Sequence, residues 1–386
     1  MRLVSYRAAG AGPEVEPSVG IAVELGAFHP GTRIIALAAL ADASLGPAAL
    51  DPALAARDLR GLLRADPGLV RTLAAAAAAI TAGARSVALA DLRLAAPIPE
   101  PGKIVCAGLN YLDHIREQGI EPPDRPMFFA KFANAVVADR EPVIRHDRTR
   151  ALDLEVELAV IVGRRMRRVT AADALDHVAG YTAANDVSAR DLQGSRPALR
   201  EGEHGDGQWL RAKGSDTFCP LGPALVTPDE VGGTGALALR SWRVPAAEGL
   251  GSDRVPDAGG GPGAGTPVAM QDGSTADMVF DVAELLAAVS EVITLEPGDV
   301  VLTGTPAGVG VFRVPPVFIE PGDVVVVEVE RIGRLTNPIV DADGAAPVGS
   351  PAARMLTGER PAARMLTGDR PAARMLTGDR PGVAWE

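Results

Sequence analysis

Cysteine is nearly missing, with only Cys106 and Cys219 in a chain of 386 residues. Two thiols set among apolar neighbours cannot build a disulfide framework, so reduced core thiols are the expectation. Long hydrophobic runs are missing too. Residues Met1 to Arg7 contain no apolar core of signal-peptide length, and the Ala74 to Ala79 run, between Arg71 and Arg85, is too short to span a bilayer. The expectation is a cytoplasmic protein without a membrane partner. Positive charge is scarce: the formal net charge is −11, and the only basic cluster, Arg164-Arg165-Met166-Arg167-Arg168, reads as a strand exit. That balance speaks against a nucleic-acid partner. What is present is ordinary for a globular chain, 47% apolar and 23% charged, and long enough for two domains and a substantial core.

The chemistry begins at Leu152-Asp153-Leu154-Glu155-Val156-Glu157-Leu158, which alternates acidic and apolar residues before turning continuously apolar through Val162. As a strand it places Asp153, Glu155 and Glu157 on one face and Leu154, Val156 and Leu158 on the other. Side chains two apart on a strand are about 7 Å apart, so a row of like charges costs stability unless something positive intervenes. A hard divalent cation would serve; a solvated acidic face would look the same.

Around this stretch the chain divides into three. Residues 1–95 read as a small α+β module, with strands near 3–6 and 20–25 and helical periodicity over 51–82 broken at Pro67-Gly68. Pro97, Pro99 and Pro101 make a stiff link into a second region, 96–341. It opens with a buried strand, 103–109, and a two-turn helix with Asn110 as N-cap and Gly119 past its end. On that helix His114 and Glu117 share a face, a spacing that lets a carboxylate orient an imidazole as a general base needs, although a surface pair would read alike. A strand over 180–184 delivers Asn185 and Asp186 to its end. Lys213 enters a segment otherwise heading for the core, either snorkelling or facing an anion. The stretches 194–208 and 246–266 read as an exposed loop and a Gly-rich insertion, and 279–292 as an amphipathic helix. Two Pro-Gly-Asp turns at 297 and 321 each feed a β-branched strand. The loop 303–310 has glycines and hydroxyls but neither the Lys nor the spacing of a P-loop. Beyond 342, the ten residues from Pro351 to Arg360 recur at 361–370 and 371–380, with Asp at 369 and 379 in place of Glu359, a period that fits no common solenoid. Disorder is the expectation there, with partner docking as the other use.

Taken in order, Gly108-Leu109-Asn110-Tyr111 with His114, the acidic strand, Asn185-Asp186-Val187-Ser188-Ala189-Arg190-Asp191, Lys213 with Asp216-Thr217-Phe218-Cys219-Pro220, Gln271-Asp272-Gly273-Ser274-Thr275 and Leu302-Thr303-Gly304-Thr305-Pro306 resemble the fumarylacetoacetate hydrolase family. The resemblance covers roughly 100–340. It implies a mixed, β-rich fold, a roll of twisted sheets with short helices. It also implies Mg²⁺ or Mn²⁺ on Glu155, Glu157 and Asp186, a lid helix carrying His114 and Glu117, Lys213 in the site, and Gln193, Arg190 and Thr305 as substrate contacts. Asp153 becomes a supporting residue, and a homodimer is implied. Phe132 stands after Lys131 where the family pattern has proline.

The implied activity is hydrolysis of a carbon–carbon bond in an acylpyruvate-type 1,3-diketo acid, with water activated by His114 and Glu117. A rival in the same family is isomerisation of a 2-hydroxy-diene dioate, or decarboxylation of a 2-keto acid, at the same metal-enolate site. A rival of another class is a non-catalytic scaffold whose tail binds a partner. Intact ligands and an intact dyad argue against that last one.

Overall fold

In the computed structural model, residues 1–342 are described apart from 13, 24–27, 29–30, 42–50, 52–56, 84, 206 and 247–265. The expected insertion at 246–266 and the repeat tail therefore lie almost wholly outside the described residues.

The first strands, β1 (Arg2–Ala8), β2 (Ser18–Ala22) and β3 (Arg33–Ala36), are followed by helices Leu59–Ala65 and Leu69–Gly83 and by β4 (Val87–Ala88) and β5 (Leu92–Ala95). The helices part at Pro67-Gly68, as the sequence predicts. Next come β6 (Ile104–Gly108), the helix Leu112–Gln118, β7 (Met127–Lys131), β8 (Val136–Val137) and β9 (Val143–Arg145). The acidic stretch gives β10 (Leu152–Asp153) and β11 (Val156–Val162), and then follow β12 (Val178–Asn185) and β13 (Ser188–Ala189). The body closes with β14 (Cys219–Val226), β15 (Ala238–Val244), β16 (Val268–Ser274), helix Val282–Val292, β17 (Val300–Leu302), β18 (Val324–Val329) and β19 (Gly333–Asp341).

Twelve strands form one mixed sheet ordered β4-β3-β2-β1-β14-β12-β11-β17-β6-β7, with β5 on β1 and β8 on β14; β16-β15-β18-β19-β9 form a second sheet, and β10 and β13 pair alone. The boundary near residue 95 does not interrupt the large sheet, because β1 pairs with β14 through Arg2 opposite Val226 and Leu3 opposite Leu225.

β11 shows why its run is continuously apolar. Val156, Leu158, Val160 and Val162 pack into the core shared with Leu239, Val325, Val327 and Leu335 of the second sheet. Ala159 and Ile161 face the other way, into a core with Leu59, Leu62 and Ile80 of the N-terminal helices. A strand buried on both faces needs apolar residues at every position. The acidic residues Glu155 and Glu157 extend this second face beyond the core.

The acidic strand is not one strand. It breaks at Leu154-Glu155, where side chains replace the ladder: Glu155 N–H donates to Asn185 Oδ1 at 3.0 Å and Val156 N–H to Gln271 Oε1 at 2.9 Å. No helix among the described residues is long and apolar enough to cross a membrane.

Candidate active site

Register assembles the carboxylates. Val156 lies opposite Asn185 and Glu157 opposite Ala184, and the next backbone bond, Asp186 N–H to Glu155 O at 2.9 Å, brings Asp186 beside Glu155. Glu155 and Glu157, two apart, share that face. One oxygen from each of the three lies within 4.8 Å of the others, and all three side chains are buried.

Three cations hold the group together, Lys131 with its Nζ 2.6 Å from Asp186 Oδ1 being one of them. Lys213, at the end of helix Trp209–Lys213 and 2% exposed, donates from Nζ to Glu155 Oε2 at 2.7 Å and to Asp186 Oδ2 at 2.9 Å. Of the two sequence readings of this lysine, the one facing an anion holds. Arg190 donates from Nε to Asp153 Oδ2 at 2.8 Å, and its Nη2 lies 2.6 Å from Glu155 Oε1. Asp153 in turn accepts from Gly310 N–H at 2.8 Å and Val311 N–H at 3.0 Å, which fits a supporting residue.

The electrostatics follow. Burial would raise the Glu155 pKa, but Lys213 and Arg190 outweigh it and hold the carboxyl well below its usual range. Burial, reinforced by the charges of Asp186 and Glu155, pushes Glu157 well above the carboxylate range, against a 2.6 Å bond from Gly304 N–H. Burial would lower Lys213, yet Asp186 and Glu155 raise it. Three carboxylates this close favour a proton or a cation between them.

The donor set passes a test for a metal. It is all oxygen, as hard divalent cations prefer. Asp186 Oδ1 is buried and accepts no hydrogen bond, its charged neighbour being Lys131 Nζ at 2.6 Å, so it can still turn toward a cation.

His114 and Glu117 stand across the same cavity. His114 Nδ1 is 2.6 Å from Glu117 Oε1, and Glu117 Oε2 accepts from Gly308 N–H at 3.0 Å. Asp113 fastens the same helix to the same loop by accepting from Ala307 N–H at 3.1 Å. The helix is thus tied down, and its imidazole is 7% exposed. Asn110 is not the N-cap. Tyr111 occupies that position, while the Asn110 amide donates to Thr303 O at 2.8 Å and Phe280 O at 3.0 Å and accepts from Phe280 N–H. A buried amide with three backbone partners across two loops is worth more there than at a helix end. Gly119 does close the helix, in the left-handed conformation.

The cavity measures about 260 Å³ and is lined by His114, Glu155, Glu157, Arg190, Gln193, Lys213 and Thr305. Glu117 and Asp186 do not line it but bond to residues that do, His114 and Lys213. Arg190 Nη1 donates to Gln193 Oε1 at 3.0 Å, and Thr305 donates its hydroxyl to Val156 O at 2.9 Å while accepting from Gln271 Nε2. Met127, Phe129, Trp209 and Phe312 form an apolar wall, with Gln118 and Ser195 as further polar groups. These six carry no sequence motif. Lys131 was also missed as a site residue, although a lysine ending the apolar strand Met127-Phe128-Phe129-Ala130 was a signal.

A family description, the fumarylacetoacetate (FAA) hydrolase C-terminal domain, matches residues 103–340. A Xenopus laevis protein named oxaloacetate tautomerase fahd2, mitochondrial, is 38% identical over 340 residues, 88% of this chain and 90% of its own. The crystal structure of 2-hydroxyhepta-2,4-diene-1,7-dioate isomerase from Mycobacterium marinum is 32% identical with a TM-score of 0.59, covering 89% of this chain and all of that one. The fumarylacetoacetate hydrolase of Exiguobacterium antarcticum is 29% identical with a TM-score of 0.63, covering 88% of this chain and 99% of its own. The ordered motifs, the β-rich fold and these matches agree: the chain belongs to the fumarylacetoacetate hydrolase family and is an enzyme of it.

Proposed function

We propose that this enzyme interconverts the keto and enol forms of a short 2-oxo acid, with oxaloacetate as the first substrate to try. The observation that carries this reading is the His114–Glu117 pair facing the buried Glu155, Glu157 and Asp186 across one cavity. The name of the Xenopus laevis relative, aligned over 90% of its length, supports the tautomerase chemistry.

Glu155, Glu157 and Asp186 would hold Mg²⁺ or Mn²⁺, the cations an oxygen-only set suits. When bound, such a cation polarises a keto oxygen and so acidifies the neighbouring C–H. His114 takes the proton from the carbon beside the ketone and returns one to oxygen. Glu117 fixes the ring through Nδ1. Lys213 and Arg190 keep Glu155 ionised, and Gln193 and Thr305 border the substrate space. Phe129, Trp209 and Phe312 give the substrate space an apolar wall.

Acyl cleavage of a 1,3-diketo acid, the expectation from sequence, is the second reading. It uses the same imidazole on a water molecule, and the similarity to a solved fumarylacetoacetate hydrolase favours it. We also propose a homodimer, to be checked by light scattering on the eluted peak.

The test follows enol absorbance of oxaloacetate and of an acylpyruvate panel with metal-stripped protein, before and after adding Mg²⁺ or Mn²⁺, with products identified by NMR. Metal-dependent enol loss without carbon–carbon cleavage is the expected result. Release of pyruvate and a carboxylic acid establishes the hydrolase instead, and metal-independent or absent turnover of every substrate overturns both readings.

A further inference from the structure

Lys131 ends β7, and its side chain is fully buried, 0% exposed, as is that of Asp186. A buried ammonium is costly unless every N–H and the charge are answered. Here all are. Nζ donates to Lys213 O at 2.5 Å, Phe218 O at 2.7 Å and Val187 O at 3.1 Å, and lies 2.6 Å from Asp186 Oδ1.

An ammonium has three hydrogens, and three carbonyls claim them. Asp186 Oδ1 consequently receives the charge without a hydrogen bond, consistent with its standing as a buried oxygen with no donor. The arrangement sets a positive charge beside Asp186 Oδ1 while the three N–H groups are spent on backbone carbonyls. The three carbonyls are informative as well. Val187 follows Asp186 directly, Lys213 carries the ammonium that bonds Asp186 Oδ2, and Phe218 directly precedes β14. One side chain thereby ties the backbone beside a carboxylate ligand to the backbone of its cationic partner. No substrate contact is available to Lys131, which does not line the cavity.

We propose that Lys131 is a positioning residue that sets the spacing between Asp186 and Lys213 and so preorganises the carboxylate triad for a divalent cation. The proposal rests on the metal site and not on the choice of substrate.

The experiment is titration of metal-stripped full-length protein with Mn²⁺, read by electron paramagnetic resonance of the free ion, for wild type, Lys131→Met and Lys131→Arg. Supporting-residue changes beside metal ligands cost roughly tenfold to a hundredfold in affinity, and that weakening is expected in Lys131→Met. Lys131→Arg restores the charge but not the three-carbonyl geometry, so its affinity should fall between the other two. In both variants kcat at saturating Mn²⁺ should drop while KM moves less, because Lys213 is displaced. Unchanged Mn²⁺ affinity in either folded variant overturns the proposal. Failure of both to fold, judged by circular dichroism, overturns it as well, since Lys131 then serves the fold and not the site. Turnover plays no part in the Mn²⁺ reading, so a wrong substrate assignment cannot mimic either result.

Discussion

Replacing Glu117 by Gln removes one charge and almost no volume, and the geometry sets the size of the effect. Glu117 accepts on both oxygens, from His114 Nδ1 at 2.6 Å and from Gly308 N–H at 3.0 Å. A carboxylate can accept twice, whereas an amide has one accepting end and one donating end. In Glu117→Gln either the imidazole or Gly308 must face an NH₂ group. Hydrogen bonds to a charged partner contribute about 1.5–3 kcal/mol and neutral ones about 0.5–1.5 kcal/mol, so the charge alone accounts for roughly 1–1.5 kcal/mol. At about 1.4 kcal/mol per decade that is about tenfold in kcat, and the donor–donor clash adds up to another decade. The expected loss is therefore about 10- to 100-fold, against roughly 100- to 10,000-fold for His114→Ala. Steady-state kinetics at saturating metal measures both, with Mn²⁺ titration as the control. A Glu117→Gln enzyme as fast as wild type refutes the orienting role. One that also loses Mn²⁺ affinity shows that the helix, and not the proton transfer, has been disturbed.

Gly308→Ala should lower kcat by a comparable factor, roughly ten- to a hundredfold, with Mn²⁺ affinity intact. Gly308 has φ +103°, and a Cβ there would stand 2.4 Å from Met270 O, so the loop that anchors Glu117 must shift. Asp153→Ala should cost about 3–5 kcal/mol in urea unfolding, because it removes one of the two buried carboxylates paired with Arg190 and leaves Arg190 Nε and two backbone N–H groups without their acceptor. A cost under about 1 kcal/mol would refute that network's importance. Asp139 offers a pH test. Burial pushes its carboxyl up to about 6, against a bond from Thr336 N–H. The folded form therefore holds its proton more tightly than the unfolded chain, whose carboxyl titrates near 3.8. Its penalty is absent below that value, grows as pH rises through about 6, and is full above it. Asp139→Asn should thus stabilise the protein by about 3 kcal/mol at pH 8 and by nothing at pH 3.5; equal urea midpoints for the two proteins at both pH values would refute the assignment.

The candidate metal and base residues were legible because their chemistry follows backbone periods. Glu155 and Glu157 share a strand face by alternation, and His114 and Glu117 share a helix face by i, i+3 spacing. Asp186 could be read as available at a strand end, but its place beside Glu155 needed the β11–β12 register. Asn110 misled for a physical reason: its residue type suits a helix cap, yet a buried amide with three backbone partners is decided by loops near Phe280 and Thr303, far off in sequence.

By itself, then, the sequence determined the elements, the apolar faces and the donor types, since these depend on neighbours one to four positions away. Tertiary structure alone decided which of two readings Lys213 obeys, that the acidic stretch breaks at Glu155, and that the N-terminal strands join the large sheet through β14. It alone revealed Lys131. Each of these depends on a charge or a backbone group brought close from dozens of residues away, and a buried charge takes its role from what surrounds it.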